Sequence, residues 1–356
     1  MVEQRRQTPE AVHQPPFAHI IEAQQFTHSW LEEQLFPLAD QMEAVAQGGG
    51  NLSLVGKRLF NLFYEPSTRT RISFESAMQL LGGQVSGTEN ARAFSSAVKG
   101  ETLEDTVKIL NGYFYDAIVL RYDEEGGAAR AAMASDNAPT QKHATIINAG
   151  DGSGQHPTQA LLDVYTVQRF LGGLDRVSMA IVGDLAYGRT THSLAYLMSK
   201  FEGVKMYFVS PPNLRMKPEI LRHLSEQKVK FRELTDLAEV VDEVDAVYMT
   251  RPQLERFIPK DRVVDEVDAV YMTRPQLERF IPKDRVNFQS NGAYTMTREI
   301  LKAMKPNSIV MHPLPRTGEV PAELDDDSRI VCFPQAQLGL YVRMALLRML
   351  LRPDLN

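Results

Sequence analysis

Short apolar runs alternate along this chain with longer stretches in which apolar residues recur every three or four positions. Arg58–Tyr64, Asp116–Arg121, Ala144–Asn148, Ser178–Asp184, Lys205–Val209, Ala246–Thr250 and Ser308–His312 have the length and content of buried strands, each followed by polar or Gly/Pro-containing turn residues. Between them Arg71–Leu81, Leu103–Tyr113, Thr158–Phe170, Thr191–Phe201 and Ala336–Leu351 carry helical periodicity. Strand–helix alternation of this kind implies parallel sheets covered by helices on both faces. The chain reads as α/β, with two doubly wound parallel-sheet (Rossmann-like) halves joined through the long helix near residues 157–171. Ahead of the first strand, Ser29 and Glu32 have capping-box spacing before Leu31, Leu35, Leu38, Met42 and Val45, and Gly48, Gly49 and Gly50 stop that pattern. Pro37 predicts a kink in this helix. Residues 1–16 mix Gln, Pro, Arg and Glu without periodicity and read as a disordered tail.

One segment fits no ordinary fold. Val240–Arg262 reads VVDEVDAVYMTRPQLERFIPKDR, and Val263–Arg285 repeats it without a difference. Repeat architectures recur several times and diverge between units, so two identical copies indicate a tandem duplication. A parallel sheet has one slot for the strand DAVYMT. If the second copy fills it, the insertion enters before the strand and leaves the loop after it undisturbed. That arrangement is expected, with Arg274 and Gln276 following the strand; the alternative places Arg251 and Gln253 there.

Length and composition narrow the classes. The chain has 356 residues and a formal net charge of −6, which suits two domains and provides no electrostatic footprint for nucleic acid. No apolar run approaches the ~20 residues that cross a bilayer, and the N-terminus lacks the apolar stretch of a secretory signal, so a cytoplasmic protein without membrane contact is expected. The single cysteine, Cys332, excludes an internal disulfide framework and reads as a buried thiol. The eight histidines include no H-x-x-x-H or H-E-x-x-H pair, so neither metal nor cofactor is expected. GDGSG is not followed by Gly-Lys-Ser/Thr, and VGDLAYGR lacks dinucleotide-binding spacing.

Ligands of open parallel sheets bind beyond the carboxyl ends of the strands, and the unusual polar clusters of this chain fall there. PSTRTR (Pro66–Arg71) follows the first run and opens a helix, Arg121 ends the second, and DGSGQHPTQ (Asp151–Gln159) follows the third. Arg189 follows SMAIVGD, an Arg-x-Gln follows each DAVYMT, and HPLPR (His312–Arg316) follows SIVM. Ser67, Thr68 and Thr70 offer hydroxyls and Arg69 and Arg71 offer guanidinium forks at a helix N-terminus, a cradle suited to phosphate. Arg189 with Arg251 or Arg274 suits a dicarboxylate. His156 and Gln159 could hold a carbonyl or carbamoyl group, and His156 could equally be a helix cap. With no nucleophile–base pair, catalysis must rest on positioning and electrostatics.

At these residues, and over about Phe17–Leu351, the chain resembles the aspartate carbamoyltransferase catalytic chain. STRTR is common to the wider carbamoyltransferase family, whereas HPTQ and HPLPR favour aspartate over ornithine as acceptor. The resemblance implies a carbamoyl phosphate-binding domain of residues 17–164 plus 337–356 and an aspartate-binding domain of residues 165–336, which contains the repeat. It implies that Ser67, Thr68, Arg69 and Thr70 hold the phosphate, that Thr68, Arg121 and His156 polarise the carbamoyl oxygen, and that Gln159 with the backbone of Leu314 and Pro315 receives the carbamoyl NH₂. Aspartate would be gripped by Arg189 and one Arg-x-Gln. Ser95 and Lys99 match a loop that reaches a neighbouring subunit's site, which implies a homotrimer with shared active sites, open to regulatory or dihydroorotase subunits. The implied reaction is the carbamoylation of aspartate in pyrimidine biosynthesis. The alternatives are another amine acceptor such as ornithine, or a homologue silenced by its duplication.

Overall fold

A computed structural model describes residues 17–91, 100–251 and 294–355. The residues divide into two compact units, one running to Leu162 and resuming at Gln337, the other spanning Asp163–Ala336. The divisions fall inside two long helices, Pro157–Leu171 and Cys332–Leu351.

In the first unit β1 (Arg58–Phe63), β2 (Gln84–Thr88), β3 (Ala117–Tyr122) and β4 (Thr145–Asp151) form a parallel sheet of order β2-β1-β3-β4. In the second, β5 (Ser178–Val182), β6 (Lys205–Val209), β7 (Lys230–Leu234), β8 (Ala246–Met249) and β9 (Ile309–Met311) form a parallel sheet of order β7-β6-β5-β8-β9. The connecting helices are α1 (Phe36–Gln47), α2 (Thr68–Leu80), α3 (Leu103–Gly112), α4 (Gly127–Asp136), α5 (Pro157–Leu171), α6 (Arg189–Met198), α7 (Pro218–Glu226), α8 (Arg298–Ala303) and α9 (Cys332–Leu351). The expected α/β class is therefore present twice. In each sheet the strand order reverses once, between β1 and β3 and between β5 and β8. Right-handed crossovers running in opposite directions from those points place their helices on opposite faces.

The strands read from sequence are the apolar, buried ones, including β4 and β9 at the sheet edges. β3 and β5 are buried along almost their whole length, as a strand covered on both faces must be. β2 (QVSGT) and β7 (KFREL) escaped notice because both are edge strands with polar, partly exposed residues and no continuous apolar run.

Both sheets use the same device to hold their central register. Asp116 lies just before β3, and its carboxylate accepts the backbone N–H of Arg58 (2.8 Å) and the ammonium of Lys142 (2.6 Å). Its own backbone donates to Arg58 O (2.8 Å) and accepts from Thr145 N (2.9 Å). Asp245, just before β8, repeats this with Ser178 N (2.8 Å) and Lys305 (2.7 Å). Its backbone joins Ser178 O (2.7 Å) and Ile309 N (2.9 Å). Each aspartate thus stitches three adjacent strands at the amino ends and sets which residues emerge together at the carboxyl ends.

One local expectation is corrected, and another takes a specific form. The first helical stretch is capped by Thr27, whose hydroxyl accepts from Trp30 N (3.2 Å), and not by Ser29. Pro37 produces no break: the turn before it, Leu31–Leu35, widens to a π-helix that leads directly into α1. A wide turn accommodates the missing N–H and the bulk of the proline ring. Gly48–Gly50 end the helix as read, and a Cβ on Gly50 (φ +103°) would lie 2.4 Å from Leu80 O.

The repeat is settled for the strand. β8 is the AVYM of the first copy, paired with β5 and β9. The expectation that the second copy fills the slot is therefore wrong for β8, and Arg251 is the arginine that follows the strand. The two sequences are identical, so no residue-level preference could have decided between them. Gln253, Arg274 and Gln276 lie outside the described residues, as do Ser95, Lys99 and residues 1–16.

Candidate functional site

In the first unit, β1, β3 and β4 bring three of the polar clusters to one sheet edge. Phe63 stands opposite Arg121 in the β1–β3 ladder, and Tyr64 N donates to Arg121 O (2.8 Å). PSTRTR therefore begins beside Arg121, at the reversal point of the sheet. Helix α2 starts at Thr68, three residues earlier than periodicity indicated, with Ser67 at the N-cap. The first helical bond runs from Arg71 N to Ser67 O (3.1 Å), and the Ser67 hydroxyl makes no capping bond. The hydroxyl and the opening N–H groups are thus left to face the helix end, where the macrodipole favours an anion. Thr70 is buried and Arg69 exposed at this end.

Arg71 is not part of that cradle. Its guanidinium bonds Glu75 (2.7 Å) one turn along the helix and reaches Glu89 (3.5 Å). The spacing PSTRTR suggested two anion-facing arginines, but consecutive odd positions on a helix point in different directions. Arg121 has a guanidinium nitrogen 3.5 Å from Glu65 and donates to Ala149 O (3.2 Å), so one carboxylate at the end of β1 and one carbonyl of β4 aim it. Glu65 was not singled out in the sequence; its signal was its place at a strand end opposite an arginine-ending strand.

The loop after β4 is pinned by Asp151, whose carboxylate accepts Gln155 N (2.7 Å) and Gly126 N (3.0 Å). His156 is buried and caps α5 through its backbone carbonyl, which accepts from Gln159 N (3.0 Å) and Ala160 N (3.2 Å). Its ring Nδ1 lies 3.4 Å from the Thr158 hydroxyl. The backbone thus does the capping, and the ring is a separate matter. Gln159 is buried in the first turn.

In the second unit Arg189 is the first residue of α6 and is buried, while Arg251 follows β8 and is half-buried. Both arise beside the second reversal point. A Cβ on Gly183 (φ +125°) would sit 2.4 Å from Thr250 O, so only glycine lets the ends of β5 and β8 approach this closely. The loop from β5 to α6 is held by Asp184, which accepts Tyr187 N (3.0 Å), and by His192 Nε2 at 2.8 Å from Leu185 O.

The HPLPR loop after β9 is supported by a buried network that sequence reasoning missed. His312 N donates to Gln335 Oε1 (2.9 Å), Gln335 Nε2 donates to Asp163 (2.7 Å), and Tyr248 OH donates to the other Asp163 oxygen (2.9 Å). Burial and the Asp163 carboxylate push the Tyr248 phenol well above its ordinary value, which keeps it a donor. Leu314 N donates to His312 Nδ1 (2.8 Å), and Leu314 adopts φ +55° ahead of a cis bond to Pro315. Burial would raise the Glu319 carboxyl, but His312 and the Thr317 N–H and hydroxyl outweigh it and hold it at about 2. Arg316 is engaged by both oxygens of Asp325. Asp163, Tyr248, His312 and Gln335 lie far apart in sequence, so no local spacing announces their network.

Cys332 is buried, and burial raises its thiol to about 11. Among the described residues no cluster of three His, Cys, Asp or Glu side chains could hold a metal ion, and no helix is long and apolar enough to cross a membrane.

Each α/β unit has a basic helix N-terminus at the reversal point of its sheet, and sequence comparison gives the class. The pattern of the carbamoyl-P binding domain of aspartate/ornithine carbamoyltransferases matches residues 18–169, and that of their Asp/Orn binding domain matches residues 175–257 and 253–350, breaking inside the repeat. The chain belongs to the aspartate/ornithine carbamoyltransferase family. Relatives on the aspartate side are similar over nearly the whole chain. Aspartate carbamoyltransferase 1, chloroplastic, of Pisum sativum is 48% identical over 93% of this chain and 78% of its own. The aspartate carbamoyltransferase catalytic subunit of Methanothrix thermoacetophila is 42% identical over 94% of this chain and 98% of its own. Among solved structures, the catalytic subunit of M. jannaschii aspartate transcarbamoylase superposes with a TM-score of 0.77 at 39% identity, covering 96% of this chain and all of the other. The Trypanosoma cruzi enzyme in complex with carbamoyl phosphate and aspartate gives 0.79 at 32% identity, covering 92% of this chain and 95% of the other.

Proposed function

We propose that the protein transfers the carbamoyl group of carbamoyl phosphate to the α-amino group of L-aspartate, giving N-carbamoyl-L-aspartate and phosphate, a step of pyrimidine biosynthesis. The observation that carries this reading is the pair of reversal points, one with STRTR beside Arg121, the other with Arg189 beside Arg251. A doubly charged phosphate suits the first and a dicarboxylate suits the second.

Phosphate is assigned to Ser67, Thr68, Arg69 and Thr70, the carbamoyl oxygen to Thr68, Arg121 and His156, and the carbamoyl NH₂ to Gln159 and the backbone of Leu314 and Pro315. The aspartate carboxylates are assigned to Arg189 and Arg251. The uncharged amine attacks the carbamoyl carbon and a C–N bond forms. Charge gathering on the carbamoyl oxygen meets donors already in place, the effect that lowers such barriers most. The C–O bond to phosphate then breaks, the phosphate dianion stays on the α2 N-terminus and Arg69, and a phosphate oxygen takes the amine proton. No dedicated base is required, which agrees with the absence of a nucleophile–base pair in the sequence. A homotrimer in which Ser95 and Lys99 serve a neighbouring site, and a cytoplasmic location, complete the proposal; the plant relatives are chloroplastic proteins.

The test is phosphate release from carbamoyl phosphate with L-aspartate, with L-ornithine and with neither. Aspartate-dependent release is expected. Release that follows ornithine would replace the acceptor, and no acceptor-dependent release would mark a silent homologue.

A further inference from the structure

We infer that His312 is a positioning residue for this transfer: held in its Nε2–H tautomer between Leu314 and Glu319, it fixes the left-handed Leu314 backbone whose carbonyl receives the carbamoyl NH₂. The inference rests on the proposed function for its substrate and on the second unit alone for its geometry. Leucine with φ +55° occupies a region that non-glycine residues enter only when something holds them there. Here the holding bond is Leu314 N to His312 Nδ1 at 2.8 Å. An amide N–H must find a lone pair, so Nδ1 carries no proton and the neutral ring carries its proton on Nε2. That nitrogen is buried and stands 3.5 Å from Glu319 Oε2, an anion that stabilises a proton on this side of the ring. Glu319 is itself held by Thr317, whose N–H donates to the same Oε2 (2.8 Å) and whose hydroxyl donates to Oε1 (2.9 Å). The His312 backbone is anchored in turn through Gln335 to Asp163. The loop of residues 312–319 thus closes on one imidazole, through a hydrogen bond at Nδ1 and through the nearby Glu319 carboxylate at Nε2. The ring touches no reacting atom; it decides where a carbonyl points.

The test compares carbamoyl phosphate with acetyl phosphate, which carries a methyl group where the NH₂ would be. The readings are kcat/KM for carbamoyl phosphate at saturating aspartate and the inhibition constant of acetyl phosphate, in the full-length protein. His312→Ala should lower kcat/KM about tenfold, the effect of one lost hydrogen bond to the NH₂, while the acetyl phosphate constant moves less than twofold. His312→Asn should restore most of the loss, because an Asn oxygen accepts from the N–H two residues on. Equal changes for both compounds, or a folded Asn variant no better than the Ala variant, would overturn the inference. If His312→Ala does not fold, Glu319→Ala carries the same test: with the carboxylate gone nothing holds the proton on Nε2, and the ratio between the two compounds should fall about threefold. An unchanged ratio sinks the positioning role. Wild-type protein that shows no aspartate-dependent phosphate release would instead sink the proposed function, so the two failures are distinguishable.

Discussion

Asp116 is expected to hold the register on which the donor side of the site depends, and its loss can be sized from its contacts. The side chain is 6% exposed and accepts Arg58 N–H (2.8 Å) and Lys142 (2.6 Å), with Lys57 at 3.5 Å. A hydrogen bond to a charged group contributes about 1.5–3 kcal/mol. The two lysine side chains are 31% and 32% exposed, so their pairing adds less than about 1 kcal/mol. Asp116→Ala should therefore destabilise the first unit by about 2–4 kcal/mol. Asp116→Asn keeps an oxygen for Arg58 N–H and should cost about half as much. The assay is urea unfolding followed by the fluorescence of Trp30, the one tryptophan in the chain, which is 4% exposed in the same unit. With a slope of about 2 kcal/mol per molar urea, the Ala variant should shift the midpoint by about 1–2 M. A shift under about 0.3 M would show that strand packing alone sets the register. A one-residue slip between β1 and β3 would turn Arg121 to the opposite face, so at low urea the variant should also lose carbamoyl phosphate turnover.

Arg69→Ala should abolish turnover through loss of a phosphate contact, whereas Arg71→Gln, which breaks only the bonds to Glu75 and Glu89, should change kcat/KM less than about threefold; steady-state phosphate release separates them. Glu319 has its carboxyl lowered from 4.5 to about 2, so its contribution to stability is complete above about 4.5 and is lost as pH falls toward 2. Urea unfolding between pH 6 and pH 3 should accordingly show the wild type losing on the order of 2 kcal/mol more than Glu319→Gln, and parallel curves would refute the linkage. Deleting Val263–Arg285 removes no described residue and leaves Arg262 joined to Val286, the same junction that Arg285 makes now. Turnover and thermal midpoint should persist in that variant, and Arg251→Ala should raise the aspartate half-saturation concentration more than tenfold while Arg274→Ala leaves it unchanged. Collapse of the deletion variant, or equal effects of the two arginine changes, would contradict the assignment of the first copy to the acceptor loop.

The amino-acid sequence by itself determined the class of the fold and most of the chemistry. Interior strands such as β3 and β5 are apolar on both faces, and that pattern survives reading without coordinates. STRTR, Arg121, HPTQ and HPLPR were visible for a related reason: polar residues crowd strand ends only when something other than packing keeps them there. Tertiary structure decided what depends on neighbours distant in sequence. It made edge strands of the polar segments QVSGT and KFREL by giving them a partner on one side. It turned Arg71 away to Glu75 and Glu89, set Glu65 against Arg121, and gathered Asp163, Tyr248, His312, Glu319 and Gln335 into one network. It also chose between two copies of one sequence. Local propensity is the same for identical segments, so only pairing with β5 and β9, which is available to a single strand, could break the tie.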